Sequence, residues 1–204
     1  MDKMMPTRRN QQKEATKNLI LDIATQQFAE QGFYKTTIRS IAKQAGIASG
    51  TIFVHFADKS ALLAAAFHDI IAQQTEAAFA TMPPSAPIVA KLLHLARQLY
   101  VYYAIDPTLS RTLLKETLFM SGEWGDVHKQ QAQAFVVAVS VLLQEAQTSG
   151  ELNANANCMT LATGFFAHYL FVLIAGLRES VFEPTIQIEM LTHLLDSLFD
   201  GAIL

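Results

Sequence analysis

Residues 36–59, TTIRSIAKQAGIASGTIFVHFADK, hold the side chains in this chain best suited to gripping a polyanion. Thr37 and Arg39 open one short apolar-periodic segment, where free N–H groups and the positive end of a helix dipole favour a phosphate. Thr51, Phe53, Val54 and His55 of a second such segment are left to face outward or toward a partner, and Ser49 and Gly50 at its start join them as candidate DNA-binding residues. Phe53 offers apolar contact to a thymine methyl or a sugar, and His55 can donate to a phosphate or a base edge. A histidine at a helix end held by local bonds is the structural alternative for His55. Lys59 follows Asp58, a good cap for the next helix, and adds a cation at the same place. Arg8 and Arg9, with Lys13, lie in a polar stretch, residues 1–13, read as an arm. Such an arm neutralises phosphates or enters a minor groove, or is simply a solvated terminus.

The elements that must hold these groups follow from periodicity. Ile38, Ile41, Ala42 and Ala45 recur at helical spacing, so that segment has one apolar face. Thr36 or Thr37 can cap its start, and Gly46 suits an exit at positive φ. The second segment starts near Ala48 or Ser49 and turns Ile52 and Phe56 inward. Two short helices around a glycine corner form a helix-turn-helix, whose second helix fits the major groove of DNA. Residues 14–31 read as a preceding helix, with Leu19, Ile20, Ile23, Ala24 and Phe28 on one face and Gly32 at its end.

Ile41-Ala42, Ala45-Gly46-Ile47-Ala48, Gly50-Thr51-Ile52-Phe53, Phe56 and Lys59 stand in the register of a known pattern. Ile23, Ala24, Phe28, Gly32 and Phe33 extend it upstream, and Leu62 downstream. The stretch resembles the DNA-binding domain of the tetracycline-repressor family. Two positions depart from that pattern: Ala48 stands where a capping serine is usual, and Phe53 where a tyrosine usually touches a phosphate. The resemblance implies DNA contacts at Thr51, Phe53, His55 and Lys59. It also implies a helical body that binds a small molecule, and a homodimer built from the last two long helices.

Charge distribution agrees with a grip at one end. Residues 1–60 hold nine Lys/Arg against five Asp/Glu, and residues 61–204 hold six against thirteen, so a basic head precedes an acidic body. With 204 residues, 51% of them hydrophobic, the chain has material for a sizeable core. Cys158 is the single cysteine, which excludes an internal disulfide and suits a reducing cytoplasm. The opening MDKMMPTRRN lacks the apolar core of a signal peptide. His94, His128 and His168 are scattered, with no ligand pair at metal spacing, so neither a metal nor a cofactor is expected. No Gly-x-Ser-x-Gly, His-Glu-x-x-His, phosphate loop or dinucleotide fingerprint is present, which weighs against an enzyme.

The expected fold is all-α: a three-helix head, residues 1–60, followed by a helical ligand-binding and dimerisation bundle, 61–204. A connecting helix over 58–80 ends at the proline-rich break of 82–87. Further helices are expected over about 88–105, 108–120 and 124–148. The most apolar run, 161–177, falls short of the usual membrane span and carries Thr163, His168 and Tyr169, so it is read as a buried helix rather than a membrane segment. That run, within 155–179, and a last helix, 184–199, have too many apolar positions for one stripe, which suits pairing with a second copy. A two-fold dimer presents two heads to a palindromic operator in double-stranded DNA. Phe67, Tyr100, Tyr103, Phe119, Trp124, Phe165 and Tyr169 are candidate walls of a pocket for a small hydrophobic or amphipathic effector, although aromatic residues at helical spacing are also ordinary core. Three readings stand: a repressor released from its operator by a ligand, a ligand-independent activator or architectural protein, and a helical enzyme or small-molecule carrier.

Overall fold

The structure is a computed structural model that describes residues 8–203. Those residues form α1 (Arg8–Gln31), α2 (Ile38–Ala45), α3 (Ser49–Phe53), α4 (Lys59–Ala80), α5 (Ile88–Ile105), α6 (Pro107–Thr117), α7 (Gly122–Thr148), α8 (Cys158–Arg178) and α9 (Pro184–Leu198). The only β pairing among them is an isolated bridge between Leu152 and Ile203.

One expected boundary is corrected. Arg8, Arg9 and Lys13 do not lie in an arm; they occupy the first turns of α1. The run RRNQQK has neither Gly nor Pro and consists largely of good helix formers, so nothing stops the helix from starting there. Residues 1–7 of the expected arm lie outside the described residues. Elsewhere local chemistry sets the ends. Asp58 Oδ1 accepts from Ala61 N at 2.7 Å, Asp106 Oδ1 from Leu109 N at 2.9 Å, and Asn157 Oδ1 from Thr160 N at 3.0 Å. These bonds start α4, α6 and α8.

Two apolar clusters hold the chain together. The first joins α1 through α4, with Ile20, Phe28, Ile41, Ile52, Phe56 and Leu62 almost wholly buried. It does not stop at the head, because Leu109 and Leu113 of α6 belong to it and Trp124 of α7 packs on it. The second fills the body, from Leu92 and Leu95 of α5 through Val139 and Leu143 of α7 to Phe165, Val172, Leu191 and Leu195 of α8 and α9. Removing this apolar surface from water is the main force assembling both halves.

The apolar helix α8 packs on α7 and α9. A Cβ on Gly164 would lie 2.7 Å from a Leu198 methyl, so the glycine lets α8 and α9 approach closely. By length and composition α8 matches a membrane span, with 39% of its most apolar window buried in the chain. Its remaining surface includes Met159 and Phe171, and α9 exposes Ile186 and Met190.

Candidate nucleic-acid interface and ligand cavity

The head is built around α2 and its exit. Thr37, in extended conformation, caps α2: its hydroxyl accepts from Ser40 N at 3.0 Å, and Thr37 N donates to Ser40 Oγ at 3.2 Å. Thr36 is spent elsewhere, donating from its buried hydroxyl to Gln27 O and Gly32 O. At the other end Gly46 sits at φ 67°, and Ile47 N donates to Ala42 O at 3.0 Å. That left-handed residue reverses the chain into α3.

α3 is short, and Ala48 at its start makes no side-chain cap. It buries Ile52 and presents Phe53, 54% exposed, and Val54, 69% exposed, with Gly50 also exposed and Ser49 and Thr51 half-buried. Phe53 and Val54 put two large apolar side chains in solvent, and Lys35, Arg39 and Lys43 of the same head are exposed cations. That combination serves a groove of bases between phosphate strands.

Two expected contacts have other surroundings. His55 follows α3, and its half-buried ring faces a crevice between head and body. Desolvation, reinforced by Lys13 and Lys17 of α1, pushes its pKa below the ordinary histidine value. Lys59 reaches inward: its ammonium donates to Phe33 O at 2.9 Å and to Thr36 O at 3.1 Å, and lies 4.1 Å from the centre of the Phe33 ring. It ties the α1–α2 loop to the start of α4.

A polar cluster under α2 was not anticipated from the sequence. Buried Gln27 donates to Gln44 Oε1 at 2.6 Å and accepts from Ser40 Oγ at 2.7 Å, fixing α2 on α1. The only sign of it is a glutamine on the apolar side of α1, next to Phe28.

The body holds a cavity of about 660 Å³, open to solvent, between α4, α5, α6, α7 and α8, within the range of small-molecule sites. Tyr103 and Tyr169 line it, together with Phe79, Leu99, Phe135, Phe166 and Leu173. Burial raises the pKa of both tyrosines, to about 12 for Tyr103, so their hydroxyls stay protonated. Thr75, Thr117, His128 and Gln131 add hydrogen-bonding groups, and His128 is held below the ordinary histidine pKa by burial and then by His68. Phe119 and Trp124 instead line a smaller crevice of about 320 Å³ at the head–body junction. Phe119 is 90% exposed, while Trp124 packs near Phe56 and His68. Phe67, Tyr100 and Phe165 line neither space and are buried in the two cores. Tyr100 stacks on Tyr169 at 5.2 Å and donates to Tyr169 O at 2.9 Å, supporting a cavity wall from behind.

Residues 20–66 match the family described as bacterial regulatory proteins, tetR family. The match covers the helix-turn-helix head, from within α1 into α4. The chain also aligns at 39% identity over 57 residues with the fatty acid metabolism regulator protein of Bacillus subtilis, covering 28% of this chain and 29% of that protein. Less than a third of that relative is therefore matched. A longer alignment, 29% identical over 175 residues, runs to the HTH-type transcriptional regulator SrpR of Pseudomonas putida, over 81% of this chain and 77% of SrpR. In three dimensions the chain is similar to Thermus thermophilus FadR, a TetR-family transcriptional repressor solved in complex with lauroyl-CoA. The TM-score is 0.71 at 21% identity, over 92% of this chain and 95% of that one. The likeness establishes the all-α fold with a helix-turn-helix head.

Proposed function

We propose that the chain is a transcriptional repressor that holds a palindromic operator as a homodimer and is released by a small molecule in the body cavity. The observation that carries this reading is the position of α6. Leu109 and Leu113 on one face of α6 belong to the core of the DNA-reading head, while Leu114 and Thr117, on the same short helix, line the cavity. A ligand that displaces α6 therefore acts directly on the packing of the head. Lys115 donating to Tyr34 OH at 3.1 Å, and Ser60 donating to Glu116 at 2.5 Å, couple α6 to the head at two more points. The ligand's effect is limited to its differential affinity for the two arrangements of α6.

DNA reading is assigned to Ser49, Gly50, Thr51, Phe53 and Val54, with Arg8, Arg9, Thr37 and Arg39 at the phosphates. Pairing is assigned to the exposed apolar face of α8 and α9, where Phe171 is 56% and Ile186 58% exposed. A second copy laid on this face would remove both from water and set the spacing of the heads. A cavity of this size favours the ligand-responsive reading over a ligand-independent activator or an enzyme or carrier. A cytoplasmic location goes with the DNA-bound role.

The test is selection of bound duplexes from a random pool, with the molar mass of the free protein measured by light scattering. Recovery of an inverted repeat by a dimer is expected. A monomer that enriches no sequence refutes the reading.

A further inference from the structure

The chemistry of the cavity mouth narrows the class of ligand, on the reading that the cavity is the effector site. Three charged side chains line the space: Glu76 of α4, and Asp126 and Lys129 of α7. All three are exposed, so they stand where the cavity meets water. Among the described residues no ion pair joins Lys129 to either carboxylate. The mouth therefore carries two negative charges against one positive. The two basic side chains of α6 have partners elsewhere. Arg111 donates to Leu177 O at 2.5 Å and Glu179 O at 3.2 Å, and Lys115 donates to Tyr34. The body as a whole is acidic, with six Lys/Arg against thirteen Asp/Glu over residues 61–204.

Deeper in, the walls are aromatic. Phe135 lies 6.1 Å from Phe79, 5.9 Å from Phe166 and 6.1 Å from Tyr169, ring centre to ring centre. Aromatic faces attract a cation and repel an anion. A ligand with several phosphates needs a cluster of arginines or lysines, because each desolvated oxyanion must find a charged donor. Lys129 alone does not supply one. We propose that the cavity takes a lipophilic organic monocation, its apolar body among Phe79, Phe135 and Phe166 and its charge toward Glu76 and Asp126, and that it rejects acyl-coenzyme A thioesters. The fold shared with a lauroyl-CoA-binding repressor thus carries a different ligand chemistry.

Two near-isosteric ions of opposite charge, tetraphenylphosphonium and tetraphenylborate, separate charge from apolar burial. Calorimetric titration of the full-length protein with each, and with lauroyl-CoA, is compared with the same titrations of the double variant Glu76→Gln/Asp126→Asn. Thermal melts of each variant establish that it is folded. The phosphonium is expected to bind more tightly than lauroyl-CoA. The double variant should weaken the phosphonium about fivefold to tenfold, the size expected for two solvent-exposed charges, and strengthen the borate. Phosphonium binding that is unchanged in the variant, or tighter binding of lauroyl-CoA, overturns the charge preference. If that binding is nevertheless lost in Ala138→Trp, which fills the cavity, the cavity remains the effector site. If none of the three probes binds, the ligand class and the cavity reading fall together.

Discussion

Replacing Lys59 by Met separates a structural from a DNA-contacting role for this lysine. The ammonium makes two charge-assisted hydrogen bonds, to Phe33 O and Thr36 O, and rests on the Phe33 ring. Thr36 is fully buried, so its carbonyl has little water to turn to when the donor is removed. Methionine keeps the length and apolar stem but offers no donor. A hydrogen bond to a charged group contributes about 1.5–3 kcal/mol, and Lys59 is only half-buried, so the net loss for the pair is about 2 kcal/mol. At roughly 2–4 °C per kcal/mol for a chain of this size, Tm should fall by about 4–8 °C. Urea unfolding followed by tryptophan fluorescence reads the head directly, because the sole tryptophan, Trp124, lies 6.4 Å from Phe56 of the head core. The operator recovered by selection then supplies the second measurement. Each lost phosphate contact makes the slope of log K against log salt shallower by about 0.9. The geometry predicts a destabilised head with an unchanged salt slope. Unchanged stability with a slope shallower by one contact would show that Lys59 leaves the protein carbonyls for a phosphate, and the reasoning from the internal clamp would be wrong.

Ala48→Ser should stabilise the protein by about 1 kcal/mol. Residue 48 already has the extended backbone of an N-cap, and only the side-chain acceptor is missing; an unchanged urea midpoint would count against it. Phe171→Asp combined with Ile186→Asp should convert the dimer to a monomer at micromolar concentration, seen by light scattering, because both sites are exposed on the proposed pairing face. A dimer that survives the pair moves the interface elsewhere. His55 and His128 have folded pKa values below the ordinary 6.5, so the unfolded chain binds more protons than the folded one as acid is added. Their contribution is present above pH 6.5 and is lost as pH falls through the lowered folded values. His55→Gln/His128→Gln should flatten the decline in Tm between pH 7 and pH 5, and an equally steep decline would refute the assignment.

The head was legible in the sequence because its information is local. Ile38, Ile41 and Ala42 repeat at helical spacing, Gly46 marks a reversal that a residue with a Cβ enters only with strain, and Asp58 announces the next helix. The directions of His55 and Lys59 were not legible. Each depends on what stands across from it: the α1 lysines and the crevice for one, the carbonyls of the α1–α2 loop for the other. The same holds for the cavity. Tyr103 and Tyr169 line it while Tyr100, three residues before Tyr103 on the same helix, supports the wall from behind. Composition marks all three as large amphipathic residues and cannot rank them.

Residue order by itself determined that this chain is helical, that its first third carries a basic helix-turn-helix, and that its body is acidic and apolar. Those properties rest on spacing, caps and charge within one or two turns. Only the tertiary structure decided that α6 gives side chains both to the head core and to a cavity, and that Glu76, Asp126 and Lys129 line that cavity. Such facts arise where five helices distant in sequence converge, and no short-range pattern encodes which of their side chains meet.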